Sequence, residues 1–143
     1  MNIRNKTAAT WLTLVGGVFG LHRFYLHGMT DVLGWLLPLP TLLGLYGVYR
    51  ARGLGLDDQW SWALIPLLGF VFAACALNAI VYGLTDQPRW NGWFNPDLAP
   101  DSAHGGTNWL TIGAVFLAML TGATALIAAI ALGIQRIFEW QAG

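Results

Sequence analysis

Residues 61–84 and 109–134 contain no charged side chain at all. Each stretch exceeds the roughly 20 apolar residues that a helix needs to cross a hydrocarbon core about 30 Å thick. Water-soluble domains rarely sustain such runs, because about a quarter of their residues are charged. Here the charged share is 10%. Two further apolar stretches accompany them. One covers residues 32–49 and holds Pro38 and Pro40, and the other covers residues 7–26. None shows the two-residue alternation of a barrel strand. A helix satisfies its own backbone in lipid, so all four are expected as helices. The expected fold is an all-α integral membrane protein with four transmembrane helices in two helical hairpins. Residues 1–6 followed by an apolar run also allow a signal-peptide reading.

Seven basic and seven acidic residues cancel, so no net charge recruits nucleic acid, and no basic run tracks phosphates. The lone Cys75 excludes an intrachain disulfide framework and a cysteine zinc cluster. With four crossings, Arg4, Lys6, Arg50, Arg52 and Arg136 share one side, against Arg23 and Arg89 on the other. The positive-inside rule then puts both termini in the cytoplasm of a cell membrane, expected to be a bacterial inner membrane. The long connection at residues 85–108 would face outward, with Trp90, Trp93 and Phe94 as interfacial anchors. No internal repeat is read. The segments "WLLPLP" and "WALIPLL" are alike, but their Trp-to-Pro spacing differs.

The segment GGVFGLHRFYLHG, residues 16–28, sets glycines directly before His, Arg, Phe and Tyr. Gly16 and Gly20 form a GxxxG pair suited to close approach of the second span. Arg23 falls about 24 Å along a helix begun at Thr7. Its head would reach the far membrane edge while its stem lies in hydrocarbon. Asp31, beyond the turn, is expected to cap the next helix and to lie within reach of Arg23. The motif Gly16, Gly17, Gly20, His22, Arg23, Phe24, Tyr25 and Leu26 resembles the signature of the TM-two domain family. That resemblance implies a hairpin of two transmembrane helices over residues 1–52, and no defined biochemical activity. Residues 53–143 would form the second hairpin. His27 stands where the family places Gly, and the end of the second helix lacks the family's Asp.

Chemistry finds little support. His22 and His27 would sit about 140° apart around a helix and share no face. Cys75 lies in "FAACALNA" with no base in its sequence neighbourhood. Asp57 and Asp58 read as a solvated turn, and His104 to Asn108 as a flexible lead into the last span. No cofactor or metal is expected, nor an enzyme. The mid-span polar groups are only Asn78, Thr121 and Thr124. In the last span Ala114, Ala118 and Gly122 recur every four residues, as do Ala125, Ala129 and Gly133. These read as two small-residue stripes, one for the chain's own bundle and one for a partner. The expected function is therefore non-enzymatic: an accessory or scaffolding subunit packed in the lipid bilayer against other membrane proteins or further copies. A small homo-oligomeric channel or transporter is the alternative.

Overall fold

The computed structural model describes residues 2–143. All regular structure among them is helical: α1 Lys6–Gly16, α2 Leu21–His27, α3 Val32–Leu36, α4 Pro38–Leu54, α5 Gln59–Leu64, α6 Pro66–Leu84, α7 Gln87–Phe94 and α8 Trp109–Ala142. Three helical runs are long and apolar enough to cross a membrane: Val32–Leu54, Gln59–Leu84 and Ala103–Ala142. The first two are each assembled from a short helix and a long one. Leu37 and Ile65 keep right-handed helical backbone at the joints. Pro38 and Pro66 follow them and lack the N–H that would continue the ladder.

The first apolar segment departs from the expected crossing. α1 ends at Gly16, a single 3-10 turn covers Gly17–Phe19, and Gly20 takes a left-handed backbone with φ 78°. α2 then runs back along α1. The backbone N–H of Asn5 donates to the Tyr25 hydroxyl at 2.8 Å, and Ala9 packs with Leu26. On an unbroken helix residues 5 and 25 would lie about 30 Å apart. The reversal needs Gly20 for two reasons. The left-handed region penalises any Cβ, and a Cβ there would collide with the carbonyl oxygen of Gly34 in α3. Gly20 thus meets the second span through a turn rather than a helix face, while Gly16, expected to share that contact, faces Leu21 of α2 instead.

This reversal changes the sides. The Lys6 ammonium donates to the carbonyl of Thr85 at 2.8 Å and to the hydroxyl of Thr107 at 2.5 Å. Thr7 pairs with Thr111, and the Trp11 indole donates to the carbonyl of Leu110. The chain start, the turn after α2, the α6–α7 corner and the start of α8 therefore share one end of the bundle, the near edge. The turn after α4 and the end of α8 form the far edge, where Arg136 donates to the carbonyl of Leu56. The start of the chain and the end of α8 lie at opposite ends, not together as four crossings required. Arg4, Lys6, Arg23 and Arg89 belong to the near edge and Arg50, Arg52 and Arg136 to the far edge. At four against three, the positive-inside count loses its bias.

α6 is the centre, packed against α1, α4, α5 and α8. Leu14 of α1, Ala76 and Ala79 of α6 and Ala118 of α8 share one core, so residues 1–52 and 53–143 are tied through a common interior. Small residues set the α6–α8 distance. A Cβ on Gly122 would stand 2.6 Å from that of Ala76, and one on Gly69 would stand 2.6 Å from that of Ala129. The two expected stripes on α8 are one face. At about 100° per residue, positions 114, 118, 122, 125, 129 and 133 fall within about 100° of arc. Ala114, Ala118, Gly122 and Ala129 are all buried, and Ala125 and Ala129 meet Gly69 of α6. Gly133 alone of the six has nothing across from it.

With Cys75→Ala as background, single cysteines at Asn2 and Ser102 are expected to label from one side of sealed vesicles, and one at Gln141 from the other. Four crossings would instead group Asn2 with Gln141. Gly20→Ala is expected to lower stability in detergent by about 1–3 kcal/mol for the backbone alone, read by thermal unfolding.

Candidate functional site

α2 sends each residue of its His-Arg-Phe-Tyr run to a different neighbour. Arg23 donates from Nε to Asp31 Oδ2 at 2.6 Å and from Nη2 to Oδ1 at 3.0 Å, a two-pronged pair. The same carboxylate caps α3 by accepting from the Gly34 N–H at 2.9 Å. Phe24 lies against Gly34, where a Cβ would approach its ring to 2.7 Å, and meets Trp35 edge-on at 5.1 Å. Tyr25 receives the Asn5 N–H and lies under the Arg4 guanidinium at 5.3 Å. Arg23 and Tyr25 thus return to the near edge, not to the far edge a straight span would give them.

His22 turns inward and is fully buried, and neither of its ring nitrogens has a hydrogen-bond partner. Its ring lies 6.3 Å from that of Tyr82. A Cβ on Gly17 would stand 3.0 Å from the Cys75 Sγ and 3.4 Å from the His22 Nδ1. Cys75 therefore has an imidazole in its vicinity, which its own segment did not reveal. Both groups are sealed from solvent, so no substrate reaches them as a nucleophile and base. Among the described residues, no group of three or more His, Cys, Asp or Glu side chains stands close enough to hold a metal ion.

The connection at residues 85–108 folds against this edge. Trp90, expected as an interfacial anchor, is completely buried, and its indole donates to the Arg4 carbonyl at 3.1 Å. Phe94 packs against it with a tilted ring at 4.5 Å, whereas Trp93 is more than half exposed. Asn95 exchanges hydrogen bonds with the Arg4 backbone, and Asn91 holds the carbonyls of Pro100 and Ser102. Burial lowers the affinity of the Lys6 amine for its proton, and Asp86 partly restores it.

The far edge repeats the Arg23 device. Arg50 donates to both carboxylate oxygens of Asp58, at 2.9 and 2.8 Å. Asp58 caps α5 by accepting from the Ser61 N–H at 3.1 Å. Gly28 and Gly55 share one conformation, with φ 87° and ψ 175° against φ 90° and ψ 177°. The Trp35 indole donates to the Met29 carbonyl at 2.9 Å, and the Trp62 indole to the Leu56 carbonyl at 2.5 Å. The register is a constant 27 residues: Arg23 and Arg50, Gly28 and Gly55, Asp31 and Asp58, Trp35 and Trp62. α4 crosses the bundle between them, so one unit appears twice in opposite orientation. The Trp-to-Pro spacing does not follow the register, because the proline slips by one position in the second copy. Asp58 is therefore a structural clamp, while Asp57 remains exposed.

No family model matches this chain, and no curated protein or solved structure matches it.

The Arg23 guanidinium holds the Asp31 carboxyl down to about 2. The Asp58 carboxyl is likewise held well below the usual range, chiefly by Arg50. Carboxyls depressed on folding contribute fully above their unfolded value of about 4 and lose that contribution as pH falls through the folded value. Both clamps should therefore leave stability flat from neutral pH to about 4, with losses only toward pH 2. Arg23→Lys and Arg50→Lys lose the planar fork and are expected to lower the melting temperature by similar amounts. Asp31→Asn should add little further loss to Arg23→Lys, because both remove one interaction.

Proposed function

We propose that this chain is a non-enzymatic integral membrane protein that packs as an accessory or scaffolding subunit against another membrane protein. Its three long helices cross the bilayer, and α1 with α2 dips in from one face and returns. The bacterial inner membrane remains the proposed location. The resemblance to the TM-two family fits a role in packing, with Arg23, Phe24 and Tyr25 shaping the dip.

Asn78 carries the reading. It lies within α6, six residues before its end, and is exposed. Its amide makes no hydrogen bond among the described residues, whereas Thr121 and Thr124 return theirs to Leu117 and Leu120. An unpaired amide facing hydrocarbon is costly, and an interhelical bond relieves it. On another side of α6, facing α8, lies an apolar trench of about 470 Å³ bordered by Phe70, Ala73, Leu77, Met119 and Ala123. Its floor is shallow-sided because Ala76, Ala118 and Gly122 are small, so the ridge of a neighbouring span fits.

A second reading, a small homo-oligomeric channel or transporter, draws on a different observation. The inverted unit and the helix break beside the unpaired His22 are features found where transporters hold their cargo.

Purification in mild detergent with native mass spectrometry tests the first reading. A stoichiometric foreign subunit should be lost on Ala123→Trp, which fills the trench. Asn78→Leu should weaken the complex about three- to thirtyfold, equivalent to roughly 0.6–2 kcal/mol, while the melting temperature of the free chain stays unchanged. A complex indifferent to both variants sinks the assignment. A closed ring of identical copies supports the second reading instead.

A further inference from the structure

A second cavity, of about 420 Å³, opens at the far edge between the start of α5–α6 and the last turns of α8. Its inner wall is apolar, formed by Ala63, Pro66, Gly133 and Ile137. Its mouth carries Trp62, Trp140, Asp57, Glu139 and Arg136. The Arg136 guanidinium lies 3.8 Å above the Trp62 ring, donates to the Leu56 carbonyl at 2.9 Å and pairs with Glu139 at 2.8 Å. Stacking and pairing thus fix a guanidinium that still has free N–H groups. Asp57 has no ion pair or hydrogen bond among the described residues, unlike its neighbour Asp58. Gly133 keeps the cavity open, since a Cβ there would meet nothing within 4 Å.

We propose that this cavity binds the headgroup of a zwitterionic phospholipid. The chemistry of the mouth matches both charges of such a headgroup. The ammonium meets the unpaired Asp57 carboxylate and the Trp140 face, where cations are attracted. The phosphate meets the remaining N–H groups of Arg136. The first acyl carbons lie along Pro66, Gly133 and Ile137. Position supports the same ligand, because the cavity sits where two of the three long helices reach one end of the bundle, at the level of lipid headgroups. Anionic lipids lack the ammonium and face Asp57 and Glu139 unfavourably. The assignment rests on the membrane placement of these helices but is independent of the accessory role, whose trench and test variants lie elsewhere.

The full-length chain, purified and stripped of lipid in detergent, is offered equal amounts of dioleoyl phosphatidylethanolamine, phosphatidylcholine and phosphatidylglycerol. Bound lipid is counted by native mass spectrometry. At least fivefold higher retention of the two zwitterionic lipids over phosphatidylglycerol is expected. Asp57→Asn should bring all three to the same level, and Gly133→Leu should reduce retention of every lipid by filling the cavity. Both positions are exposed or open, and unchanged helix content and melting temperature without lipid confirm the fold. Equal retention of phosphatidylglycerol, or zwitterionic binding unaffected by either variant, overturns the proposal. So does full displacement by dodecyltrimethylammonium, which carries a cation and no phosphate and would mark a site for lipophilic amines.

Discussion

The contact between Gly20 and the carbonyl of Gly34 governs the architecture. Two backbones approach there because neither residue carries a side chain, and Gly20 adopts a conformation that a Cβ would penalise. The turn sends α2 back beside α1. That return places Tyr25 over the chain start, His22 into the interior and Arg23 beside the loop that begins α3. Without it, the same residues would be strung across a bilayer. It also decides which loops share an edge, and hence the balance of Lys and Arg.

Polar groups taken out of solvent are used mainly to tie helix ends together. Lys6 bridges the end of α6 and the approach to α8, Thr7 meets Thr111, and the Thr41 hydroxyl donates to the Val18 carbonyl at the tip of the dip. Helices in lipid gain little from apolar contact with one another, so such bonds and close packing of small residues hold the bundle. His22 and Asn78 stand apart. His22 is buried without a hydrogen-bond partner, and Asn78 is exposed on α6 with no hydrogen bond among the described residues. The trench bordered by Leu77 and Ala123 and the cavity at the far edge lie at separate places on the α6–α8 pair. The two proposed contacts therefore do not compete for the same surface.

The repeated Arg–Gly–Asp–Trp unit shows why local reading of the chain was incomplete. Its four positions are spread over a turn and two helix ends. They are meaningful only once one guanidinium, one left-handed glycine, one cap and one indole are seen closing the same corner. The 27-residue register is present in the sequence, but its Arg, Gly and Asp positions lie outside the apolar pattern and the proline slips by one residue between the copies. Trp90 misled for a related reason. An indole in a loop near a membrane suits an interface, and only the fold of residues 85–108 over the near edge buries it.

The sequence by itself determined that the chain is helical and apolar enough for a membrane. Long uncharged runs leave no other way to satisfy a backbone in hydrocarbon. It also determined the small-residue face of α8 and the proximity of Arg23 to Asp31, because both are local to a helix or a short turn. Tertiary structure alone decided that the first segment reverses and that the chain start and the end of α8 lie at opposite edges. It also decided that Gly122 of one stripe and Ala125 and Ala129 of the other meet α6, and that Cys75 neighbours His22. Each of these depends on which distant backbone lies across a glycine or an alanine. Sequence spacing states that a close approach is possible there, and only packing selects the partner.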